Sequence, residues 1–246
     1  SRRQRQMCIR DRPTVFEKNA RPGGMLTYGI PSYKLEKDVI EAEIDVLREL
    51  GVEIKCGVNV GTDVTIDELR KQGYKAFYVA IGCQGGRLPG IPGEDAIGTD
   101  MAVSFLHDAT ENHDRKLVGK TVVIGGGNVA MDAARSAMRM GAEHVYIVYR
   151  RSEEEMPARK EEVHHAKEEG IEFLNLNNPV KIIGDENGRV CAMECIRMEL
   201  GEPDESGRRR PEVVPGAQFT LDCDAVIMAI GTTPNPLLHR TTAGLA

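Results

Sequence analysis

A glycine-rich turn between two apolar runs constrains the fold of this chain more than any other feature. Residues 121–124 are apolar, residues 125–127 are three glycines, residues 128–140 have helical spacing, and residues 144–149 are apolar again. A strand, a glycine turn, a slim helix and a second strand in this order predict a βαβ unit of a doubly wound parallel sheet. We therefore expect an α/β fold that contains a Rossmann-like domain.

The turn has the spacing of a dinucleotide-binding loop. Residues 125–130, GGGNVA, fit the pattern G-x-G-x-x-A directly after a strand and at the start of a helix. In this pattern Gly125 permits the tight turn, Gly127 lets the backbone approach a pyrophosphate, and Ala130 lets the helix pack closely on the sheet. A glycine turn without a ligand is the alternative, but the flanking strands and helix favour dinucleotide binding.

The residues after the second strand indicate which dinucleotide is bound. An acid at this position favours the ribose of NAD, whereas a basic group favours the 2′-phosphate of NADP. Arg150 and Arg151 follow the strand, and two guanidinium groups can bind a phosphate through charge-assisted hydrogen bonds. NADPH is therefore favoured over NADH, with a solvated basic strand end as the alternative.

The rest of the chain alternates between strand and helix patterns. Before the turn, strands are predicted at residues 14–17, 52–60 and 76–81, and helices at 36–50 and 66–72. After it, a helix is predicted at 158–169, strands near 171, 180 and 190–198, a polar turn at 202–210, and strands at 218–221 and 225–230. This order indicates α/β material with an antiparallel hairpin.

Composition excludes several classes of function. The net charge of -6 argues against nucleic acid as a partner, and the sequence has no apolar run of about 18 residues that would span a membrane. The six cysteines contain no C-x-x-C pair and match neither a zinc site nor an iron–sulfur site, so we expect reduced thiols, no metal and a cytoplasmic location. His164 and His165 are adjacent in a helix and point in different directions, which argues against a shared metal.

The first twelve residues differ sharply in charge from the rest. They contain five arginines and one aspartate. A basic arm for nucleic acid is one interpretation, but the segment lacks aromatic residues. We expect instead a non-native leader, because the string resembles translated sequencing-adaptor sequence.

Five segments together resemble one family of flavoproteins. They are FEKNARPGGMLTYGIPSYKL at 16–35, YVAIGCQGGRLPGIPGED at 78–95, TVVIGGGNVAMDAARSAMRMGA at 121–142, YRRSEEEMPAR at 149–159 and VIMAIGTTPNPLL at 226–238. This set resembles the small subunit of NADPH-dependent glutamate synthase. The wider group includes flavoprotein subunits of ferredoxin:NADP oxidoreductases and the flavin module of dihydropyrimidine dehydrogenase.

The resemblance implies an FAD site in the N-terminal part. Glu17 would bind the FAD ribose, Gly24 and Met25 would pass the flavin, and Lys34 and the Val60 backbone would lie near FAD. Taken alone, Glu17 is better explained as an ordinary exposed carboxylate at a strand end. If it does bind FAD, the glycine loop of that domain would precede residue 1, and we expect an internal fragment.

The resemblance also implies the NADPH contacts and the electron partners. Hydride transfer to the flavin would depend on proximity, so no catalytic acid or base is expected. Iron–sulfur clusters would lie in a domain outside this chain, and a large glutamate synthase subunit or another acceptor would take the electrons. The implied NADPH contacts are Gly127, Asn128, Val129 and Ala130 at the pyrophosphate, Arg150 and Arg151 at the 2′-phosphate, and Ala229, Ile230 and Gly231 beside the nicotinamide.

The implied domain organisation is an insertion. Residues 13–116 would form a partial FAD domain, residues 117–228 the NADPH domain, and residues 229–246 a return to the FAD domain, after the leader at 1–12. The leading hypothesis is an FAD-dependent NADPH oxidoreductase module. The alternatives are a ferredoxin- or pyrimidine-linked member of the same group and a non-catalytic NADP-binding module.

Overall fold

The apolar runs form most of the predicted strands in the computed structural model, which describes residues 12–203 and 209–244. The strands are β1 (Thr14–Glu17), β2 (Glu53–Cys56), β3 (Gly85–Gly86), β4 (Thr99–Met101), β5 (Lys120–Ile124), β6 (His144–Tyr149), β7 (Glu172–Asn175), β8 (Asn177–Gly184), β9 (Val190–Pro203), β10 (Arg209–Asp222), β11 (Ala225–Met228) and β12 (Thr232–Thr233). The helices are α1 (Met25–Tyr28), α2 (Lys37–Glu49), α3 (Ile66–Lys71), α4 (Ala102–Glu111), α5 (Asn128–Arg139), α6 (Lys160–Glu168) and α7 (Leu237–Thr241), with a 3-10 turn at Glu153–Glu155. The predicted leader, apart from Arg12, and part of the predicted turn at 202–210 lie outside the described residues.

The centre of the fold is a five-stranded parallel sheet in the order β4-β11-β5-β6-β7. The predicted α/β class is thereby confirmed. Because side chains alternate along a strand, β5 sends Val122 to one face and Val123 to the other, and both are fully buried. Helices α4, α5 and α6 cover the face of Val123, and the antiparallel sheet β10-β9-β8 covers the face of Val122.

The N-terminal strands form a smaller sheet. Strands β1 and β2 pair in parallel, with Glu17 opposite Cys56. Strand β2 is shorter than predicted, because Gly57 takes a φ of 71° and its N–H turns to the Asn19 carbonyl at 3.0 Å. On α2, Ile40 and Ile44 are buried as their spacing indicates, whereas Leu47 is 45% exposed.

The predicted buried strand at residues 76–81 is wrong. This segment has no strand assignment, and no described strand pairs with it. Tyr78 is 95% exposed, and Val79 and Ile81 are also exposed. An apolar run becomes a buried strand only where a neighbouring strand takes its backbone hydrogen bonds, and the apolar pattern cannot reveal whether that neighbour is present.

The chain divides into two compact units. Unit 1 runs to Cys83 and resumes at Pro234, and unit 2 spans Gln84–Thr233. Within unit 1, the C-terminal segment that begins at Pro234 packs against Gly61. A Cβ added at Gly61 would lie 3.1 Å from Leu237 Cγ. In unit 2, β4 pairs with β11, so the predicted boundary at 116/117 falls inside this unit. No helix among the described residues is long and apolar enough to cross a membrane.

Candidate functional site

The glycine loop lies where three neighbouring strands of unit 2 end. Gly125 directly follows β5, and its N–H donates to the Val148 carbonyl of β6 at 3.0 Å. On the other side, the N–H of Ala229, directly after β11, donates to the Ile124 carbonyl at 2.8 Å. Ligands of open α/β sheets bind at the carboxyl ends of the strands, so this edge is the candidate site.

Gly125 is required by the packing of the loop. Its φ is 142°, and a Cβ at this position would lie 2.4 Å from the Ala229 carbonyl oxygen. At Gly126, a Cβ would lie 2.7 Å from the Tyr149 ring. Contacts within the protein are therefore sufficient to require glycine at positions 125 and 126.

Gly127 is different, because the protein leaves its Cβ position open. Its φ of -93° is allowed to any residue, and the nearest atom to an added Cβ is Pro157 Cγ at 4.0 Å. Packing within the described residues does not demand a glycine here. A bare backbone at this point fits a group that approaches the loop from outside, as a pyrophosphate does in this fold.

The start of α5 adds backbone donors to the same place. No side chain among the described residues caps this helix, whose N-cap is Gly127. Asn128 and Val129 begin the first turn, and Ala130 is fully buried against the sheet. The first N–H groups of a helix and the positive end of its dipole attract anions.

Arg150 and Arg151 follow β6 at the same edge of the sheet. Within residues 12–203 and 209–244, no carboxylate forms an ion pair with either arginine, and Nε of Arg151 is buried without a hydrogen-bond partner. The nearby carboxylates are engaged elsewhere. Glu153 pairs with Lys167 at 2.6 Å and Glu155 with Arg209 at 3.4 Å. Two guanidinium groups without a carboxylate partner among the described residues fit an anionic ligand such as the 2′-phosphate of NADP.

One contact of the loop was not foreseen from the sequence. The side-chain oxygen of Asn128 accepts a hydrogen bond from the backbone N–H of Arg159 at 2.9 Å. The N–H of Ala158 donates to the Gly126 carbonyl at 3.1 Å. The segment after the two arginines thus returns to the glycine loop; its only sequence signal is Pro157, which marks the end of a turn before a helix.

The residues predicted beside the nicotinamide follow β11. Ala229 contacts the glycine loop, as described, and Ile230 is 38% exposed. Gly231 has a φ of 117°, and its carbonyl accepts the N–H of Arg87 at 3.1 Å. The structure brings Ala229 to Gly125 and holds the next two residues at the same strand end.

The residues predicted for FAD lie in unit 1. Glu17 ends β1, and one of its carboxylate oxygens accepts the Asn19 N–H at 2.8 Å. Gly24 has a φ of 52°, and an added Cβ would meet no atom within 4 Å. Met25 begins α1 directly after it. The open space beside the Gly24 backbone fits the close approach of a flat ring system.

Lys34 and Val60 lie in loops of the same unit. The N–H of Lys34 donates to the Pro31 carbonyl at 3.0 Å, which closes the turn between α1 and α2. Val60 forms an isolated bridge with Val64 after β2. Their assignment to FAD stays a prediction.

The chain belongs to the pyridine nucleotide-disulphide oxidoreductase family, whose pattern it matches over residues 23–246. It is 48% identical over 221 residues to the NADP(+)-dependent formate dehydrogenase subunit beta of Moorella thermoacetica, covering 89% of this chain and 31% of that protein. It is 42% identical over 245 residues to the glutamate synthase [NADPH] small chain of Halomonas elongata, covering 95% of this chain and 51% of that protein. The predicted resemblance is confirmed, and the chain spans about half or less of these relatives.

The fold is shared with solved structures of more distant sequence. FprA of Mycobacterium tuberculosis, solved in complex with NADPH, matches with a TM-score of 0.75 at 22% identity, over 91% of this chain and 64% of that chain. The thioredoxin reductase of T. acidophilum matches with a TM-score of 0.61 at 18% identity, over 92% of this chain and 70% of that chain. The chain therefore shares its fold with these two proteins.

Proposed function

We propose that this chain is an FAD-dependent NADPH oxidoreductase module of the glutamate synthase small-chain kind. One observation carries the proposal. Arg150 and Arg151 lack carboxylate partners among the described residues, and they follow β6 at the sheet edge that holds the glycine loop, where the Cβ position of Gly127 is open. Relatives at 42–48% identity are named for NADP(+) or NADPH, which supports the same cofactor.

In this proposal unit 2 is the NADPH domain and unit 1 the FAD domain. NADPH supplies a hydride and FAD accepts it when both are bound. The backbone N–H groups of Asn128 and Val129 bind the pyrophosphate at the start of α5, and Gly125 and Ala130 shape the loop. Arg150 and Arg151 bind the 2′-phosphate.

The remaining contacts orient the reactive rings. Ala229, Ile230 and Gly231 border the nicotinamide at the end of β11. Glu17 would bind the FAD ribose through the carboxylate oxygen that does not accept the Asn19 N–H. Gly24 and Met25 would pass the flavin, and Lys34 and the Val60 backbone would lie near FAD. Since orientation suffices for hydride transfer, no acid or base of this chain is assigned to the step.

An acceptor outside this chain would take the electrons from the reduced flavin. Relatives named as a subunit or a small chain support a partner subunit as that acceptor. We propose a large glutamate synthase subunit as that acceptor, with iron–sulfur clusters of another domain between the flavin and the acceptor. A ferredoxin-linked or pyrimidine-linked acceptor is the alternative within the same chemistry.

Flavin reduction tests the proposal directly. The full-length protein that contains residues 13–246 is mixed with FAD, separated from free flavin, and mixed with NADPH or NADH without oxygen. We expect retained flavin whose oxidised absorbance is lost faster with NADPH than with NADH. Gly24→Val places a branched side chain in the open space beside this backbone and should lower flavin retention. Thermal unfolding without flavin separates that effect from the backbone strain at a φ of 52°.

Two outcomes contradict the proposal in different ways. A chain that binds NADPH but retains no FAD would support the non-catalytic NADP-binding module. A chain that retains FAD but is reduced equally well by NADPH and NADH would remove the assigned role of Arg150 and Arg151.

A further inference from the structure

The side chain of Asn128 joins two parts of the candidate NADPH site. Asn128 is the first residue of α5, directly after the glycine loop, and Arg159 directly precedes α6. The hydrogen bond from the Arg159 N–H to Asn128 Oδ1 at 2.9 Å links positions that are 31 residues apart in the chain. It is a contact between the pyrophosphate loop and the segment that contains the two arginines.

That segment is anchored at both ends. At its start, β6 fixes Tyr149, whose hydroxyl also donates to the Glu155 carbonyl at 3.0 Å. At its end, Ala158 N–H donates to the Gly126 carbonyl and Arg159 N–H to Asn128. Between the anchors lie Arg150 and Arg151, which no described carboxylate holds in place. The Arg151 carbonyl accepts the Leu176 N–H at 3.1 Å, so the backbone of this residue has its own contact, and the bonds of Ala158 and Arg159 fix the end of the segment.

The same bond limits what the Asn128 side chain can do for the pyrophosphate. Its amide oxygen is occupied by Arg159, and a pyrophosphate offers only acceptors, so that oxygen has no role toward it. The backbone N–H of Asn128 stays available at the helix start. The side-chain nitrogen keeps two N–H donors for the pyrophosphate, which NADPH and NADH share, so the ratio of the two affinities isolates the bond to Arg159.

We infer that Asn128 is a positioning residue for NADPH selectivity, an inference that rests on the proposed NADPH site. Its side chain fixes the end of the segment 150–159, and thereby places the two arginines for the 2′-phosphate. NADH has the pyrophosphate but lacks the 2′-phosphate. Loss of the bond therefore weakens NADPH binding more than NADH binding.

Two substitution pairs isolate this bond from either side. Asn128→Ala removes the acceptor, whereas Asn128→Asp keeps an acceptor at the same place. Arg159→Pro removes the donor at a φ of -62°, which proline accepts, whereas Arg159→Ala removes only the guanidinium. Asn178→Ala, which loses a side-chain bond to the Pro179 carbonyl in β8, is the control for a lost asparagine bond elsewhere in unit 2.

The measurement is calorimetric titration of each full-length variant with NADPH and with NADH, with thermal unfolding recorded beside it. We expect Asn128→Ala to lower the ratio of NADPH to NADH affinity about 5- to 10-fold, the usual worth of one hydrogen bond. Asn128→Asp should weaken both cofactors through its charge and keep the ratio. Arg159→Pro should lower the ratio further than Arg159→Ala, and Asn178→Ala should leave it unchanged.

The possible failures are distinguishable. An unmutated chain without NADPH preference would overturn the proposed function itself. A preference that Asn128→Ala leaves intact, or an equal loss for NADPH and NADH, would overturn only the role of Asn128. If Asn128→Ala does not fold, the comparison of Arg159→Pro with Arg159→Ala decides, and equal ratios in that pair would overturn the inference.

Discussion

Unit 2 and unit 1 treat apolar strand sequences in opposite ways. In unit 2, Val122 and Ile147 lie on different faces of a five-stranded sheet, and both are fully buried because both faces of the sheet are covered. In unit 1, β1 and β2 form a two-stranded sheet, and the apolar segment 76–81 is exposed. An apolar pattern therefore predicts a strand, but the strand becomes part of a core only where neighbouring strands pair with it.

The two candidate sites differ for the same reason. In unit 2, β11, β5 and β6 end side by side, so Ala229, Gly125 and Tyr149 meet around one loop. In unit 1, the predicted FAD residues lie at one strand end, at the start of α1 and in two loops. A site on the edge of a multistranded sheet is held by its neighbours, and it is the better target for quantitative tests.

A matched pair of isoleucines gives the largest expected difference between the units. Ile147→Ala in β6 leaves a cavity in a fully buried position and should lower the free energy of unfolding by roughly 2–5 kcal/mol. Ile81→Ala, at a position 44% exposed, should change it by about 0.5 kcal/mol or less. Denaturant unfolding of both variants measures this. Equal losses would mean that segment 76–81 is buried after all.

Two glycines of the loop separate folding from binding. Gly127→Ala should leave the free energy of unfolding nearly unchanged, because its Cβ meets only Pro157 at 4.0 Å, yet weaken NADPH binding by about tenfold or more. Gly125→Ala should destabilise unit 2, because its Cβ would meet the Ala229 carbonyl at 2.4 Å. Thermal unfolding and calorimetry measure the two effects. A Gly127→Ala variant that binds NADPH normally would refute a close approach at this residue.

Acidification should reveal the ion pairs between α5 and α6. Burial alone would raise the pKa of Glu169, but hydrogen bonds from Arg139 and Arg135 outweigh it and hold the pKa below the ordinary value of 4.5. Because the folded-state pKa is depressed, this stabilisation is complete above pH 4.5 and is lost as the pH falls through the lower folded value. Unfolding of Glu169→Gln, recorded against pH, should show a weaker acid dependence than the unmutated chain. Glu168→Gln, at an exposed position, is the control, and equal curves for Glu169→Gln and the unmutated chain would contradict the assignment.

Thiol reactivity gives the mildest contrast. Burial raises the pKa of Cys195 and of Cys223 to about 12, so both remain unreactive thiols in the core of unit 2. Cys83 of unit 1 is exposed. Brief alkylation of the folded chain near neutral pH, read by mass spectrometry, should label Cys83 and spare Cys195 and Cys223. Labelling of all three at equal rates would contradict the packing beneath β9, and alkylation in denaturant is the positive control.

The sequence predicts the glycine loop and its surroundings well, because that signal is local. Strand β6 has the predicted bounds, and α5 begins at the predicted residue. The strand prediction for residues 76–81 was wrong, because a strand forms there only if another strand pairs with it, and the local sequence does not show whether one does. The Asn128–Arg159 bond could not be predicted either, since it depends on how the turn after β6 folds back over 31 residues.

The assignment of Arg150 and Arg151 to the 2′-phosphate of NADPH is tested most directly by calorimetric titration. The unmutated chain and the double variant Arg150→Ala plus Arg151→Ala are each titrated with NADPH and with NADH. We expect the unmutated chain to prefer NADPH, and the double variant to lose about 100-fold in NADPH affinity with little change for NADH, because two charge-assisted contacts disappear. Equal affinity for both cofactors in the unmutated chain, or a double variant that still prefers NADPH, would contradict the assignment of the 2′-phosphate site.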